Sequence, residues 1–210
     1  GAWAAYTHRI PVPRLDLHAV DRYLRLGPML GLDGGPPDFR FPIPQEAEER
    51  VDGLIARHGL GGRPLAVLVP GTVWETKRWH VEGFAEVARH LTRTGRAVAL
   101  AGSPDERDRC QTVALRCPGA RDLSGRTTLS DLAALVRRAE VCVTNDSGSM
   151  HLAAALGRPV VSVFGPTDPV RVGPYGRPGA VVRADVPCAG CYLRRLRACP
   201  NGHVCMTEVT

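Results

Sequence analysis

Short apolar runs alternate with longer amphipathic stretches along most of this chain, and this alternation restricts the fold more than any other feature of the sequence. The apolar runs lie at 65–69, 97–101, 141–144, 160–164 and 180–182, with a weaker one at 120–123. The stretches with helical character lie at 81–94, 104–116, 129–138 and 148–156. Strands that alternate with helices in this way are joined by right-handed crossovers. The sequence therefore predicts an α/β fold built on a doubly wound, parallel, Rossmann-like sheet.

This regular pattern does not begin at the first residue, so we divide the chain into two unequal parts. Residues 1–44 contain the helical segment HAVDRYLRL and the segment LGLDGGPPDFRFPIP, whose glycines and prolines are typical of a crossing between domains. Residues 45–58 form a predicted helix with apolar side chains on one face. We expect 1–44 to be too short for a domain and 45–210 to form the sheet domain.

Composition and charge narrow the classes of function. The chain has 210 residues, 44% of them hydrophobic, and a net charge of +6. No apolar run approaches the roughly 18 residues that cross a bilayer, and the first residues do not resemble a signal peptide, so we expect a cytoplasmic protein. The positive charge favours nucleic acid, a phosphorylated small molecule or an anionic membrane surface as the partner. Only 5% of the residues are aromatic and no basic patch is interleaved with rings, which disfavours nucleic acid.

The segment TNDSGSMHLAAALG places small polar residues between an apolar run and a helical stretch. Small side chains at the carboxyl end of a parallel strand leave the first N–H groups of the next helix uncovered, and these groups suit a phosphate. The segment therefore predicts an anion site. In the alternative interpretation, Asp146 or Ser147 is only a helix N-cap, Gly148 is a turn residue and His151 is packed.

Two further loops follow predicted strands. PGTVWETKRWH contains Lys77, whose ammonium group suits phosphate, although an isolated lysine is more often a solvated surface residue. GSPDERDR contains Asp105 and Glu106, which suit ribose hydroxyls but are also ordinary in the first turn of a helix. Because parallel strands end at one edge of the sheet, we expect the three loops to converge on one site.

The segments PGTVWETKRWHVEGFAEVARHL, TNDSGSMHLAAALGRPVVSVFGPTDPVRVGPYG and CAGCYLRRLRACPNGHVCM resemble the carboxyl-terminal half of the ADP-heptose:lipopolysaccharide heptosyltransferases, glycosyltransferase family 9. The resemblance covers about residues 60–208. It implies a GT-B fold in which this half binds the nucleotide-sugar donor. It also implies transfer of heptose from ADP-heptose to the inner core of lipopolysaccharide, by an inverting displacement with ADP as the leaving group.

The resemblance also implies roles for individual residues. Lys77 and Asp146 are the candidate catalytic residues: Lys77 and Thr72 would hold the diphosphate and neutralise the leaving group. Asp146 would contact sugar hydroxyls or cap the helix, because an ionised carboxylate repels a diphosphate. Ser147 and Gly148 would lie against the phosphates and the heptose.

The remaining implied contacts concern the nucleoside. Glu106 would contact the ribose, Thr127 and Thr128 would line the adenine through backbone groups, and His151 would lie one turn into the helix. The sequence departs from the expected pattern at Val73, where a second hydroxyl often follows Thr72.

No metal is required under this scheme, since the lysine and the helix N–H groups stabilise the charge that develops on ADP. The resemblance implies that the general base belongs to the start of the amino-terminal domain. We expect 1–44 to be only a remnant of that domain, and we expect this chain to bind the donor without transferring sugar by itself.

Four of the seven cysteines lie within 18 residues, at positions Cys188, Cys191, Cys199 and Cys205. This spacing is compatible with a structural zinc site of four thiolates, and the alternative is a set of thiols that pack within loops.

The adjacent Arg194, Arg195 and Arg197 could face the anionic lipopolysaccharide acceptor or the inner-membrane surface. The alternative function is a non-catalytic Rossmann module that binds nucleotide or nucleic acid through the same loops.

Overall fold

A six-stranded parallel sheet forms the centre of the computed structural model, which describes residues 2–11, 14, 16–32 and 34–209. The strands are β1 (Leu65–Val69), β2 (Ala97–Leu100), β3 (Ala120–Asp122), β4 (Ala139–Asn145), β5 (Val160–Phe164) and β6 (Val181–Arg183). They are ordered β3-β2-β1-β4-β5-β6, and every neighbouring pair is parallel. From β1 the chain builds the sheet outward in one direction to β3, and then returns to add β4, β5 and β6 on the other side of β1. The connections after β1 and β4 therefore leave in opposite directions, and a crevice opens at the carboxyl ends of these two strands. The predicted doubly wound parallel sheet is confirmed.

The helices lie between successive strands or flank them. They are α1 (Ala19–Leu24), α2 (Gln45–Arg57), α3 (Val81–Arg93), α4 (Arg107–Arg116), α5 (Leu129–Arg138), α6 (Gly148–Ala155), α7 (Pro169–Val172) and α8 (Val204–Thr207). Short 3-10 turns at Glu75–Lys77 and Pro104–Glu106 follow β1 and β2. The helix expected over 104–116 is therefore split, because a proline opens a capped 3-10 turn before α4 begins. Among the described residues, no helix is both long and apolar enough to cross a membrane.

Two hydrophobic layers cover the two faces of the sheet. On one face Val67, Leu135 and Phe164 belong to a single buried cluster with residues of α2, α5 and α6. On the other face Leu68 and Phe84 belong to a second cluster, which includes residues of α3, α4 and α8. Neighbouring residues of β1 thus point to opposite clusters, as the period of a strand requires. Burial on both faces explains why the strands read as continuous apolar runs.

The amino-terminal segment packs against the carboxyl edge of the sheet domain. His18 Nε2 lies 3.0 Å from the carbonyl oxygen of Gly173, and the Tyr175 hydroxyl donates to Asp21 Oδ1 at 2.6 Å. The ring of Phe39 lies 5.5 Å from that of Tyr175. These contacts bring α1 to the same edge as the predicted site. The division of the chain at residue 44 stays a prediction.

Candidate functional site

A cavity of about 710 Å³ lies at the carboxyl edge of the sheet. The loop after β1, the start of α5 and the first turns of α6 supply most of its wall. Val20, Phe39 and Tyr175 close one side, so the amino-terminal segment forms part of the same cavity. The wall is largely apolar, with a small number of polar groups concentrated where β1 and β4 end. Such a cavity suits a ligand with one apolar face and one charged end.

A buried ion pair joins two of the predicted site residues beside this cavity. Lys77 Nζ lies 2.6 Å from Asp146 Oδ2, and the two side chains are only 15% and 5% exposed. The same carboxylate oxygen accepts a hydrogen bond of 2.5 Å from Thr167 Oγ1. Lys77 Nζ also lies 4.4 Å from the centre of the Trp74 ring. Lys77 is the only lysine in the sequence, so the other basic side chains are all arginines and histidines.

The interpretation of Asp146 as a helix cap is wrong. Ser147 occupies the N-cap position of α6, and the Asp146 carboxylate instead binds Lys77 and Thr167. The Ser147 hydroxyl does not cap the helix either: its Oγ is buried and has no hydrogen-bond partner within the described part of the chain. Both Ser147 and Gly148 line the cavity, and among the described residues no atom beyond the chain neighbours and the helix's own backbone lies within 4 Å of a Cβ built on Gly148. The amino terminus of α6 therefore faces open space with an unpaired hydroxyl beside it.

The Thr72 hydroxyl is engaged with the protein. Thr72 lines the cavity, but its buried Oγ1 donates to the carbonyl oxygen of Asp146 at 3.3 Å, and its own carbonyl accepts from Arg78 Nε at 2.9 Å. The hydroxyl would have to rotate to donate to a ligand. Val73, where a second hydroxyl was expected, is 88% exposed at the cavity mouth.

Glu106 reaches the cavity from the loop after β2. Its Oε2 accepts hydrogen bonds from the backbone N–H and the hydroxyl of Ser103, at 2.8 and 3.0 Å. Its other oxygen lies against Gly71, where an added Cβ would be only 2.1 Å from Oε1. Glycine is therefore required at position 71 for Glu106 to keep this position. Of the two acids predicted in this loop, Glu106 lines the cavity and Asp105 does not.

His151 also lines the cavity, one turn into α6. The residue keeps an exposed surface, although the ring is partly desolvated by the surrounding protein. This burial lowers the pKa of the imidazole, and the nearby Asp146 carboxylate opposes the shift in part. His151 is therefore mostly neutral at pH 7, when one ring nitrogen can donate and the other can accept.

Thr127 and Thr128 do not contact the cavity as expected; within the described chain, Leu129 and Leu132 of α5 line it instead. Thr128 is the N-cap of α5 and exchanges hydrogen bonds with Asp131. Its backbone N–H also donates to Asp131 Oδ2 at 2.9 Å, so that group is not available to an adenine ring. The expected backbone contact of Thr128 is therefore corrected, because helix capping uses the same N–H group.

Asn145 lies in the segment for which the sequence predicts an anion site, but the contacts of its side chain were not predicted. The side chain is fully buried; its Oδ1 accepts from the Trp79 N–H at 3.0 Å and its Nδ2 donates to the Pro70 carbonyl at 2.8 Å. It therefore ties the end of β4 to both ends of the loop that carries Lys77. An amide side chain at the end of a strand whose preceding residues are buried was the available signal, since such a residue must find partners when buried.

The four clustered cysteines do not form the predicted zinc site. Among the described residues, no group of three or more His, Cys, Asp or Glu side chains is arranged to hold a metal. Cys205 is buried in the core beneath β5, and this burial raises the pKa of its thiol to about 11, with smaller contributions from the other three thiols. Cys191 by contrast is exposed. One of the four thiols is thus buried in the apolar core, while another is exposed to solvent.

Comparison with known proteins identifies the family to which the chain belongs. The model of the family "Glycosyltransferase family 9 (heptosyltransferase)" matches residues 1–200. Lipopolysaccharide heptosyltransferase 1 of Pseudomonas aeruginosa is 40% identical over 134 residues, which cover 63% of this chain and 38% of the relative. Lipopolysaccharide heptosyltransferase 2 of Salmonella typhimurium is 31% identical over 175 residues, which cover 78% of this chain and 50% of the relative. The chain therefore spans at most about half the length of these curated relatives.

A solved structure extends the similarity to the fold. The structure of E. coli heptosyltransferase WaaC with ADP-2-deoxy-2-fluoro heptose is 27% identical, with a TM-score of 0.64. The match covers 93% of this chain and 57% of the solved chain. The expected GT-B type of Rossmann-like fold is confirmed by this likeness.

Proposed function

Because the chain belongs to glycosyltransferase family 9, the heptosyltransferase family, we propose that its cavity binds ADP-heptose. We propose further that this donor site serves the transfer of heptose to the inner core of lipopolysaccharide, with the general base supplied by an acceptor-side domain. The observation that carries this proposal is the Lys77–Asp146 pair beside the open amino terminus of α6. The similar WaaC structure, described with an ADP-heptose analogue, supports the same ligand for this cavity.

The charged end of the cavity suits the diphosphate of the donor. The first N–H groups of α6 carry the positive end of the helix dipole, and the unpaired Ser147 hydroxyl can donate to a phosphate oxygen. Lys77 adds an ammonium group at the same edge, where only a small part of its surface meets water. Glu106, whose Oε1 accepts no hydrogen bond from a described residue, is placed for a ribose hydroxyl.

The reaction that we propose is an inverting displacement. The acceptor hydroxyl oxygen forms a bond to the anomeric carbon while the bond from that carbon to the ADP oxygen breaks, so the electron pair leaves with ADP. Negative charge grows on the diphosphate, and Lys77 with the α6 N–H groups stabilises it. The acceptor proton passes to a general base. Asp146 does not suit that role, because Lys77 and Thr167 already engage its carboxylate.

Asp146 has a different task in this scheme. It holds Lys77 in place before the donor binds and limits the positive charge of the empty site. Its partner Thr167 fixes the carboxylate from the loop after β5. Contact between Asp146 and a sugar hydroxyl remains compatible with this arrangement, since a carboxylate accepts several hydrogen bonds. We therefore propose Asp146 as a positioning residue with a secondary sugar contact.

We place the acceptor on the side of the cavity that carries Arg194. Its guanidinium lies 4.5 Å from the centre of the Trp74 ring, and Lys77 Nζ lies 4.4 Å from the same ring. A cation so close to the donor site favours an anionic acceptor such as the lipopolysaccharide core. Arg195 and Arg197 extend this positive edge and are exposed, so a peripheral contact with the inner membrane on its cytoplasmic side is part of the proposal.

Isothermal titration calorimetry of the 210-residue chain with ADP tests the donor site. We expect saturable binding, and we expect Lys77→Met to weaken it by about 1–3 kcal/mol, the range of a charge-assisted hydrogen bond. Arg93→Ala is the matched control, because it removes one exposed cation outside the cavity. Unchanged ADP affinity in Lys77→Met would remove Lys77 from the site. Binding of polynucleotide but not of ADP would favour the nucleic-acid module instead.

A further inference from the structure

A second, smaller pocket of about 250 Å³ lies on another side of the loop that carries Lys77. Its wall includes Arg78, Arg109, His80 and the side chains of Leu196 and Thr207. None of these residues lines the donor cavity. The pocket is therefore separate from the proposed donor site, although the loop 70–80 contributes to both.

Two guanidinium groups meet in this pocket without a carboxylate partner. Within the described chain, neither Arg78 nor Arg109 forms an ion pair. Arg109 donates to the carbonyls of Pro70 at 3.1 Å and Trp79 at 2.6 Å, and Arg78 donates through Nε to a carbonyl of the same loop. Burial lowers the pKa of Arg109, and the charge of Arg78 lowers it further. Two like charges held together in partial burial favour a bound anion.

His80 supplies a third donor. Its Nδ1 accepts a hydrogen bond of 2.9 Å from the Gly83 N–H at the start of α3. Since an N–H group can only donate, Nδ1 of the neutral ring must be unprotonated, which leaves the proton on Nε2. That Nε2–H has no acceptor among the described residues.

The acidic residues near the pocket do not fill it. Glu75 lines the pocket, but its Oε2 accepts from the Leu196 N–H at 3.1 Å. Glu82 lies 4.0 Å from His80 Nδ1 and pairs with Arg116 at 2.9 Å. The two guanidiniums thus outnumber the one carboxylate in the wall, so the pocket keeps a positive potential.

We propose that this pocket is a second anion site, which binds a phosphoryl group through Arg78, Arg109 and His80. Donors on three residues suit a group with three terminal oxygens better than a carboxylate with two. The volume exceeds that of one phosphate ion, so the pocket can also accept a phosphoryl group carried by a larger molecule. The proposal does not depend on the identity of the donor sugar.

Titration of the chain with inorganic phosphate at constant ionic strength tests the site, followed by NMR signals of the His80 ring and the Thr207 amide. We expect saturable shifts at both positions. Leu196→Glu adds a carboxylate to the partly exposed pocket wall and should weaken binding about tenfold. Arg78→Gln should also weaken it, because one of the two guanidiniums is lost.

Two control variants separate this site from others. Leu115→Glu makes the same change at an exposed residue outside both pockets, and should leave the phosphate affinity unchanged. Lys77→Met removes the ammonium group beside the donor cavity, and should also leave the shifts of His80 and Thr207 in place. Loss of these shifts in Lys77→Met would show that they are relayed from the donor cavity, and would overturn the proposal.

The source of the phosphoryl group is decided by a second titration with a hexose 1-phosphate. Equal binding of both probes identifies an esterified phosphoryl group, whereas binding of inorganic phosphate alone identifies a free ion. An absence of saturable shifts at His80 and Thr207 with either probe would overturn the proposal, and would show that Arg78 and Arg109 only stabilise the loop 70–80 through their hydrogen bonds to its carbonyl groups. Donor binding measured with ADP is unaffected by that result, so the two proposals can fail independently.

Discussion

Replacing Lys77 with methionine should destabilise the protein well beyond the effect of a lost surface cation. Asp146 is 4% exposed and lies 2.6 Å from Lys77 Nζ, so the substitution leaves a buried carboxylate with Thr167 as its main remaining partner. Breaking a buried pair from one side costs about 3–5 kcal/mol. The Lys77 side chain keeps 15% exposure, and we therefore expect the lower end, about 3 kcal/mol.

The loss in the free energy of unfolding can be measured by thermal or urea unfolding. For a domain of this size, about 3 kcal/mol corresponds to a fall in Tm of roughly 6–12 °C. Methionine keeps most of the volume of the lysine stem, so the result reports charge more than packing.

The double variant Lys77→Met/Asp146→Asn provides the control. Asparagine removes the second charge and retains an oxygen that can accept from Thr167, so we expect most of the lost stability to return. A loss below about 1 kcal/mol in Lys77→Met would contradict the reasoning, since that is the range of exposed ion pairs. Failure of the second substitution to restore stability would likewise show that the charge of Asp146 is not the cause.

Three further variants test other parts of the site. Gly71→Ala places a Cβ about 2.1 Å from Glu106, so we expect ADP affinity to fall by about tenfold in calorimetry as the carboxylate is displaced. Asn145→Ala leaves two buried backbone groups short of a partner and should cost about 2–4 kcal/mol in urea unfolding. His151→Gln should flatten the dependence of Tm on pH. Because burial lowers the pKa of His151, the unfolded chain binds the proton more readily, and the wild type loses stability as the pH falls below about 6.5.

Each of these variants has an outcome that contradicts its premise. Wild-type ADP affinity in Gly71→Ala would mean that Glu106 does not contact the nucleotide. A loss below about 1 kcal/mol in Asn145→Ala would mean that water or another group replaces the amide. Parallel curves of Tm against pH for His151→Gln and the wild type would show that this histidine is not desolvated.

The regular part of the fold could be predicted because local patterns decide it. A buried parallel strand needs apolar residues on both faces, so β1 and β5 are visible as the runs LAVLV and VVSVF. Helix α5 was predicted with its observed bounds from the helical pattern of residues 129–138, and the structure adds a capping box of Thr128 and Asp131 at its start. The split at the start of α4 was missed, because the pattern of apolar residues does not distinguish a 3-10 turn from the first turn of an α-helix.

The strand ends that carry the candidate site residues could be predicted, but the contacts among these residues could not. Lys77 and Asp146 were both selected, yet as separate ligands of the donor, and their mutual ion pair was not foreseen. Thr167 was not selected at all, although its hydroxyl shares the same carboxylate oxygen. The cysteine spacing suggested a metal, whereas Cys205 is buried in the core and the described residues include no group arranged to hold a metal.

The sequence by itself determined the alternation of strands and helices, the edge of the sheet where ligands gather, and the residue types that reach that edge. These depend on periodicity and on turn chemistry, which act over a few residues. Only the tertiary structure decided that Asn145 ties the lysine loop to β4, that Lys77 is held by Asp146, and that Arg78 and Arg109 share a second pocket. Those contacts join residues from different strand ends, so they exist only once the strand order has brought the ends together.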